Sequence, residues 1–210
     1  MEIIFATGNQ HKMVEAQKAL GDSFTLIMPK ELGLTEDIPE DGDTLVANAI
    51  QKAEYLWNKF GKNCFADDTG LEVDALHGAP GVYTARYAGD DKDWNKNMDK
   101  VLYELKVAET EAQMAKGLGL KMKPMSRRAR FKSVITLIIN GEKHYFEGTL
   151  EGVIAHEKAG CGGFGYDPIF IADEFPDKTL AEISKEQKNA ISHRGKALRA
   201  MAQWLQNNSK

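Results

Sequence analysis

Asn140-Gly141 stands between two long runs, Arg130 to Asn140 and Lys143 to Ala155, both rich in β-branched or aromatic residues. An Asn-Gly pair accepts the two positive φ angles of a tight hairpin turn, so the runs are expected to form two long antiparallel strands. Around this ribbon, strand and helix patterns interleave. Ile3-Ile4-Phe5-Ala6 reads as a buried strand and Thr7-Gly8-Asn9 as a turn. A helix follows, with Met13, Ala16 and Leu20 on one side. Phe24 to Met28 predicts a second strand, and the acidic stretch Glu36 to Asp43 a loop ending at Thr44, a candidate N-cap. From Leu45 the positions Ala49, Ala53, Leu56 and Phe60 recur at helical spacing.

Cys64 to Asp68 predicts a strand, and Leu71 to Ala75 a separate, half-exposed one. Trp94 to Leu105 predicts a helix with Met98, Val101, Leu102 and Leu105 on its apolar face. Ala108 to Ser126 has weak periodicity, several Gly and Lys residues and one Pro, and is expected to be a mobile excursion. Gly160-Cys161-Gly162-Gly163-Phe164-Gly165 matches G-x-G-x-x-G, but it runs into Pro168, which a helix cannot readily pass. A glycine-rich loop presenting Phe164 and Asp167 to a flat ligand fits better than a dinucleotide fingerprint. The closing helix is expected to start at Ser192 and to bury Leu198, Met201, Ala202 and Leu205. The expected class is α/β, a mixed sheet with long antiparallel strands and flanking helices.

A chain of 210 residues with 42% hydrophobic content supports a substantial core without covalent staples. Cys64 and Cys161 are the only cysteines, too few for a four-cysteine zinc site, and they suit a reducing, cytoplasmic setting. No apolar run approaches a membrane span. The formal net charge of −4 argues against a nonspecific nucleic-acid surface, although one nucleotide pocket needs only a few placed cations. The basic stretch Lys116 to Lys132, with Arg127, Arg128 and Arg130, reads as a solvated loop entering a strand.

Chemistry concentrates at three places. Asp67-Asp68-Thr69-Gly70 follows the apolar run Cys64-Phe65-Ala66, putting two carboxylates where a strand is expected to end. Neighbouring strand residues point to opposite faces, so Asp67 and Asp68 cannot have the same job: one could bind a divalent metal while the other orients or deprotonates a water, the alternative being an acidic turn with Asp as a cap and Gly70 supplying positive φ. The Thr7-Gly8-Asn9 turn at a helix start, with Lys12 nearby, suits phosphate oxygens, although the P-loop spacing is absent. The glycine-rich loop adds Phe164. His193 and Arg194 fall in the first turn of the closing helix, where cations oppose the helix dipole, which suggests a use beyond stability.

Ordered motifs extend the pattern. They are Ala6-Thr7-Gly8-Asn9 with Lys12, Asn48-Ala49 with Lys52-Ala53, Ala66-Asp67-Asp68-Thr69-Gly70-Leu71, and Gly78-Ala79-Pro80-Gly81-Val82-Tyr83-Thr84-Ala85-Arg86-Tyr87. Arg130-Phe131, Gly162 to Phe170 and Ile191 to Leu198 complete the set. Through them the chain, from Ile4 to about Leu198, resembles the inosine/xanthosine triphosphate pyrophosphatases, the Ham1-like enzymes. The resemblance implies one domain over residues 1–210, an elongated body of two lobes around a central cleft. It implies Mg²⁺-dependent hydrolysis of ITP, dITP and XTP to the monophosphate and pyrophosphate, and a homodimer.

By position, the resemblance gives the phosphates to Thr7, Gly8, Asn9 and Lys12, with Lys52 adding charge. Glu40 and Asp68 serve the metal and the water, with Asp68 the general base and Asp67 its metal-binding or positioning neighbour, the reverse assignment of the two staying open, and Lys12 stabilises the leaving group. Thr69, Gly165, Tyr166, Asp167, Lys188, His193 and Arg194 join Phe164, the stacking residue, around the nucleotide. The usual Thr-Phe-x-Glu is here Thr44-Leu45-Val46-Ala47, so Thr44 must cap its helix alone. Competing readings are a pyrophosphatase for other modified nucleotides, a nucleotide-binding sensor without catalysis, and an RNA-binding protein using the Arg127 to Arg130 cluster.

Overall fold

The computed structural model describes residues 1–120 and 125–208. Its strands are β1 (Glu2–Phe5), β2 (Thr25–Ile27), β3 (Cys64–Val73), β4 (Arg128–Ile139), β5 (Glu142–Ile154) and β6 (Phe170–Ala172). They form a mixed sheet in the order β2-β1-β3-β4-β5-β6. β1 is parallel to β2, with Ile3 opposite Leu26, and to β3, with Phe5 opposite Phe65; β5 and β6 are antiparallel. The helices are α1 (Gln10–Leu20), α2 (Leu45–Phe60), α3 (Trp94–Gly117), α4 (Lys185–Ile191) and α5 (His193–Asn208). The chain divides into two compact units. One comprises Met1–Thr69, Lys132–Thr149 and Ser192–Lys210, the other Gly70–Phe131 and Leu150–Ile191.

In the first unit the period of two along the strands sorts side chains onto two cores. Ile3, Phe5, Phe65, Ile135 and Leu137 pack with Met13, Ala16 and Leu20 of α1 and Leu198, Met201 and Leu205 of α5. Ile4, Ala6, Cys64, Ala66 and Ile138 pack instead with Ala53 and Leu56 of α2. Adjacent strand residues thus serve different layers, which is why β1 and the start of β3 read as continuous apolar runs. Burial pushes the Cys64 thiol up to about 12, which leaves it a packing residue rather than a nucleophile.

The second unit has its own core, in which Leu71, Val73, Phe131, Leu150 and Phe170 meet Met98, Val101 and Leu105 of α3. Tyr166 is buried here, its hydroxyl donating to the Thr84 carbonyl at 2.9 Å, while Thr84 Oγ1 accepts the Leu71 N–H at 2.8 Å. The basic cluster is neutralised within this unit: Arg127 on Glu109, Arg128 on Asp173, and Arg130 on Asp74 and Glu151.

The hairpin forms as expected, with Asn140 at φ 51° and Gly141 at φ 86°. Three elements differ from expectation. β3 is one continuous strand, so Asp67 and Asp68 lie in its interior and Leu71 to Val73 belongs to it. Side-chain partners neutralise both carboxylates, so the ladder continues past them. α3 runs on to Gly117, because Ala, Glu, Gln, Met and Lys are strong helix formers even where the apolar stripe thins. The expected excursion is therefore helical in its first half, and part of the remainder, 121–124, lies outside the described residues. α4 was not expected, although Ser184-Lys185-Glu186-Gln187 is a capping box: Ser184 Oγ accepts the Gln187 N–H and Gln187 Oε1 accepts the Ser184 N–H.

Gly148 on β5 marks a close approach in the first unit. A Cβ there would lie 2.0 Å from the His193 carbonyl oxygen and 2.6 Å from the Ala197 nitrogen. Gly148→Ala is expected to cost about 2 kcal/mol, the order of an overpacked core. Calorimetry should then show a melting temperature lower by about 4–8 °C.

Candidate active site

The first unit carries a charged constellation built on the pleat of β3. Asp67 shares its face with Phe65, toward α1 and α5; Asp68 shares its face with Ala66, toward α2. Both oxygens of Asp67 lie 2.9 Å from Lys12 Nζ, and Arg194 Nε donates to Oδ2 at 3.1 Å. Arg194 also reaches Glu15 at 3.3 Å. Asp68 Oδ1 accepts from Lys52 Nζ at 2.8 Å and Oδ2 from Asn48 Nδ2 at 3.3 Å. Lys52 Nζ donates as well to Glu40 at 3.2 Å.

Local structure aims these groups. Asn9 caps α1, its Oδ1 accepting the N–H groups of His11 and Lys12, while Thr7 Oγ1 accepts the Asn9 N–H. The cap fixes the start of α1, one turn before Lys12 reaches Asp67. Gly8 is not held by packing, since a Cβ there would meet nothing within 4 Å. Thr44 caps α2 alone, Oγ1 accepting the Ala47 N–H at 3.0 Å. Asn48 and Lys52, four residues apart, then lie on one helix face toward Asp68. Asn48 Oδ1 accepts the Gly42 N–H at 2.7 Å, tying the acidic loop to the same point. Thr69 Oγ1 donates to Ser133 Oγ at 3.0 Å. His193 and Arg194 open α5, with Ser192 Oγ accepting the Gly195 N–H.

The two carboxyls titrate in opposite directions. Burial alone would raise Asp67, but Lys12, Arg194 and Lys52 together hold it well below the usual carboxylate range. Asp68 is raised: burial dominates and Glu40 adds repulsion, against the opposing pull of Lys52 and Asn48. Burial depresses Lys52, yet Asp68, Asp67 and Glu40 carry it above its ordinary value. A carboxylate held below its ordinary pKa on one face and a more basic one on the other follow from burial and from which cations each helix delivers.

The three carboxylates expected to serve a metal, Glu40, Asp67 and Asp68, all belong to the first unit. Among the described residues no three His, Cys, Asp or Glu side chains form a metal-holding group. The Asp67 oxygens face Lys12 and Arg194, across the strand from Asp68. Glu40 and Asp68 do converge, on one ammonium, and Glu40 is half exposed. Two carboxylates with room for waters and phosphate oxygens suit Mg²⁺, which seldom takes an all-protein cage.

The second unit carries the glycine-rich loop. Phe164 is 68% exposed, and its N–H donates to Asp167 Oδ2 at 2.6 Å. Buried Asp167 is also ion-paired with Lys188 of α4. Gly163 has φ +80°, and a Cβ there would fall 2.1 Å from Asp167 Oδ2, so glycine is required. Gly165 at φ +67° closes the turn. The Tyr166 side chain is 1% exposed. A ring with a hydroxyl that finds a carbonyl partner is stable in a core. Asp167 likewise braces the loop from beneath. Sequence reasoning gave no role to Asn48, Glu15 or Trp94. Asn48 and Lys52 at i, i+4 beside an apolar stripe were a legible sign, as were Lys12 and Glu15 at i, i+3; nothing local pointed to Trp94.

Asp67 is 1% exposed on its side chain, so replacing it leaves Lys12 and Arg194 facing an uncharged group. Its lowered folded pKa supplies stability present above the unfolded Asp value of about 3.9 and lost as pH falls toward the folded value. Asp67→Asn should therefore cost about 3 kcal/mol at pH 7 in urea unfolding. The gap to wild type should shrink below about pH 4. An equal gap at both pH values would contradict the assignment.

The Ham1 family model matches residues 3–204. The dITP/XTP pyrophosphatase of Flavobacterium johnsoniae is 45% identical over 205 residues, 98% of either chain. The Ham1 protein structure from Coxiella burnetii superposes with a TM-score of 0.87 at 37% identity, covering 99% of each chain. That of Staphylococcus aureus gives 0.85 at 38% identity, again over 99% of each chain. With the full-length match and the shared mixed α/β fold, the chain belongs to the Ham1 family.

Proposed function

We propose that this protein hydrolyses deaminated purine nucleoside triphosphates, dITP, XTP and ITP, to the monophosphate and pyrophosphate. The substrate class follows from relatives named dITP/XTP pyrophosphatase that match along the whole chain. The observation that carries the chemistry is the split pair on β3: Asp68, raised in pKa and beside Glu40, and Asp67, ionised and holding Lys12 and Arg194.

Glu40 and Asp68 would hold Mg²⁺, which when bound neutralises the triphosphate and orients an attacking water. Asp68 acts as general base and takes the water proton on its carboxylate, its raised pKa improving proton acceptance. The water oxygen bonds to the α-phosphorus while the α–β bridging bond breaks and pyrophosphate leaves. Lys52 steadies the carboxylates on one side. Lys12 spends two of its three ammonium donors on Asp67, which keeps the third for the charge growing on pyrophosphate. Thr7, Gly8 and Asn9 present the α1 N-terminus to phosphate oxygens. The role of Asp67 is that of a buried counter-ion that holds Lys12 and Arg194 ready.

Phe164 offers the exposed ring for stacking on the base, on the loop that Gly165, Asp167 and Lys188 shape. Thr69, His193 and Arg194 complete nucleotide recognition. A 6-keto purine presents an acceptor where adenine presents a donor, so a donor from His193 or Arg194 rejects adenine by leaving donor facing donor. The homodimer and the cytoplasmic setting belong to the same reading. For the described residues, no helix is long and apolar enough to cross a membrane.

Pyrophosphate release from dITP, XTP, ITP, GTP and ATP, with and without Mg²⁺, tests this reading. Metal-dependent release from the deaminated purines should fall by about 100-fold or more in Asp68→Asn. Equal cleavage of ATP would overturn the substrate class, and an active Asp68→Asn the base. In His193→Ala, which leaves the Asp67 ion pairs in place, the preference for ITP over ATP should narrow by about tenfold or more. An unchanged ratio removes His193 from base discrimination.

A further inference from the structure

We propose that Trp94 is the positioning residue that fixes the ring of Phe164 for stacking on a purine base. The inference rests on the reading that Phe164 stacks. Phe164 is 68% exposed, yet it is held at two points. Its N–H is bound by Asp167, and its ring meets Trp94 edge to face, with centroids 4.8 Å apart and planes at 68°. Trp94 is itself pinned. It is the first residue of α3, capped by Asp93, whose Oδ1 accepts the N–H groups of Asn95 and Lys96 at 2.8 and 3.2 Å. One turn on, buried Asn97 ties α3 to the preceding loop through the Ala88 N–H and the Ala85 carbonyl. The Tyr166 ring also lies 5.8 Å from Trp94, held by its own bond to Thr84.

An exposed phenylalanine with no neighbour samples several rotamers, and binding must then order it. An edge-to-face partner on a capped helix removes much of that cost before the ligand arrives, while 68% exposure leaves ring surface for the base. Gly165 serves the same contact: its backbone passes so that even a Cβ would sit 3.6 Å from Trp94 Cε3 and Cζ3. The loop is thus laid against the indole as well as over Asp167.

A double-mutant cycle on dITP turnover with Mg²⁺ tests this, using wild type, Trp94→Ala, Phe164→Ala and the pair. Trp94→Ala should raise KM by about fivefold with kcat within about twofold, since uniform binding is lost and the reacting groups are untouched. Trp94→Phe, which keeps an edge contact and guards against misfolding, should recover most of the loss. In the Phe164→Ala background, Trp94→Ala should change KM no further. Additive effects, or a normal KM in Trp94→Ala beside a raised one in Phe164→Ala, would overturn the positioning role alone. A normal KM in Phe164→Ala would overturn the stacking reading and this inference with it.

Discussion

Two adjacent carboxylates in the interior of a β-strand cannot both be accommodated unless each face of the sheet brings them a cation. Asp67 and Asp68 on β3 meet that condition through different helices, Lys12 of α1 and Arg194 of α5 on one face, Lys52 of α2 on the other. Taking a carboxylate out of water costs several kcal/mol, and only close pairing offsets it. The first unit is organised around that demand. The helix caps at Asn9 and Thr44, the i, i+4 pair Asn48 and Lys52, and Gly148 under the start of α5 all fix where the cations arrive.

The pairing also differentiates the two acids. Asp67 receives two cations in direct contact and stays ionised; Asp68 shares one ammonium with Glu40 and is raised by burial. Identical side chains one residue apart thereby acquire opposite acid–base character, the division of labour that hydrolysis with one base and one set of positioned cations requires. The pleat fixes the faces, and the helices fix the charges.

The glycine-rich loop of the second unit shows the same economy in a different form. Asp167 is buried beneath it and anchors both Phe164, by a backbone bond, and Lys188. Its carboxylate can come that close to the main chain only because Gly163 has no Cβ. A hydrophobic ring is then held exposed by polar contacts below and an aromatic edge beside it, an arrangement that costs burial energy and makes sense for a surface awaiting a flat ligand.

The sequence by itself determined the hairpin at Asn140-Gly141, the apolar faces of α1, α2 and α5, the caps at Thr44 and Ser192, and the rejection of a dinucleotide helix at Gly160 to Gly165. Each of these rests on local sterics or on a periodicity legible within a few residues. It also determined that Asp67 and Asp68 must face apart, since that follows from the pleat alone. Only the tertiary structure decided that β3 runs unbroken through both, because the cations that make it tolerable come from residues 12, 52 and 194. The burial of Tyr166, the bracing role of Asp167 and the contact of Trp94 with Phe164 were decided in the same way. A side chain's partner is set by which elements pack together, and no local window of sequence contains that information.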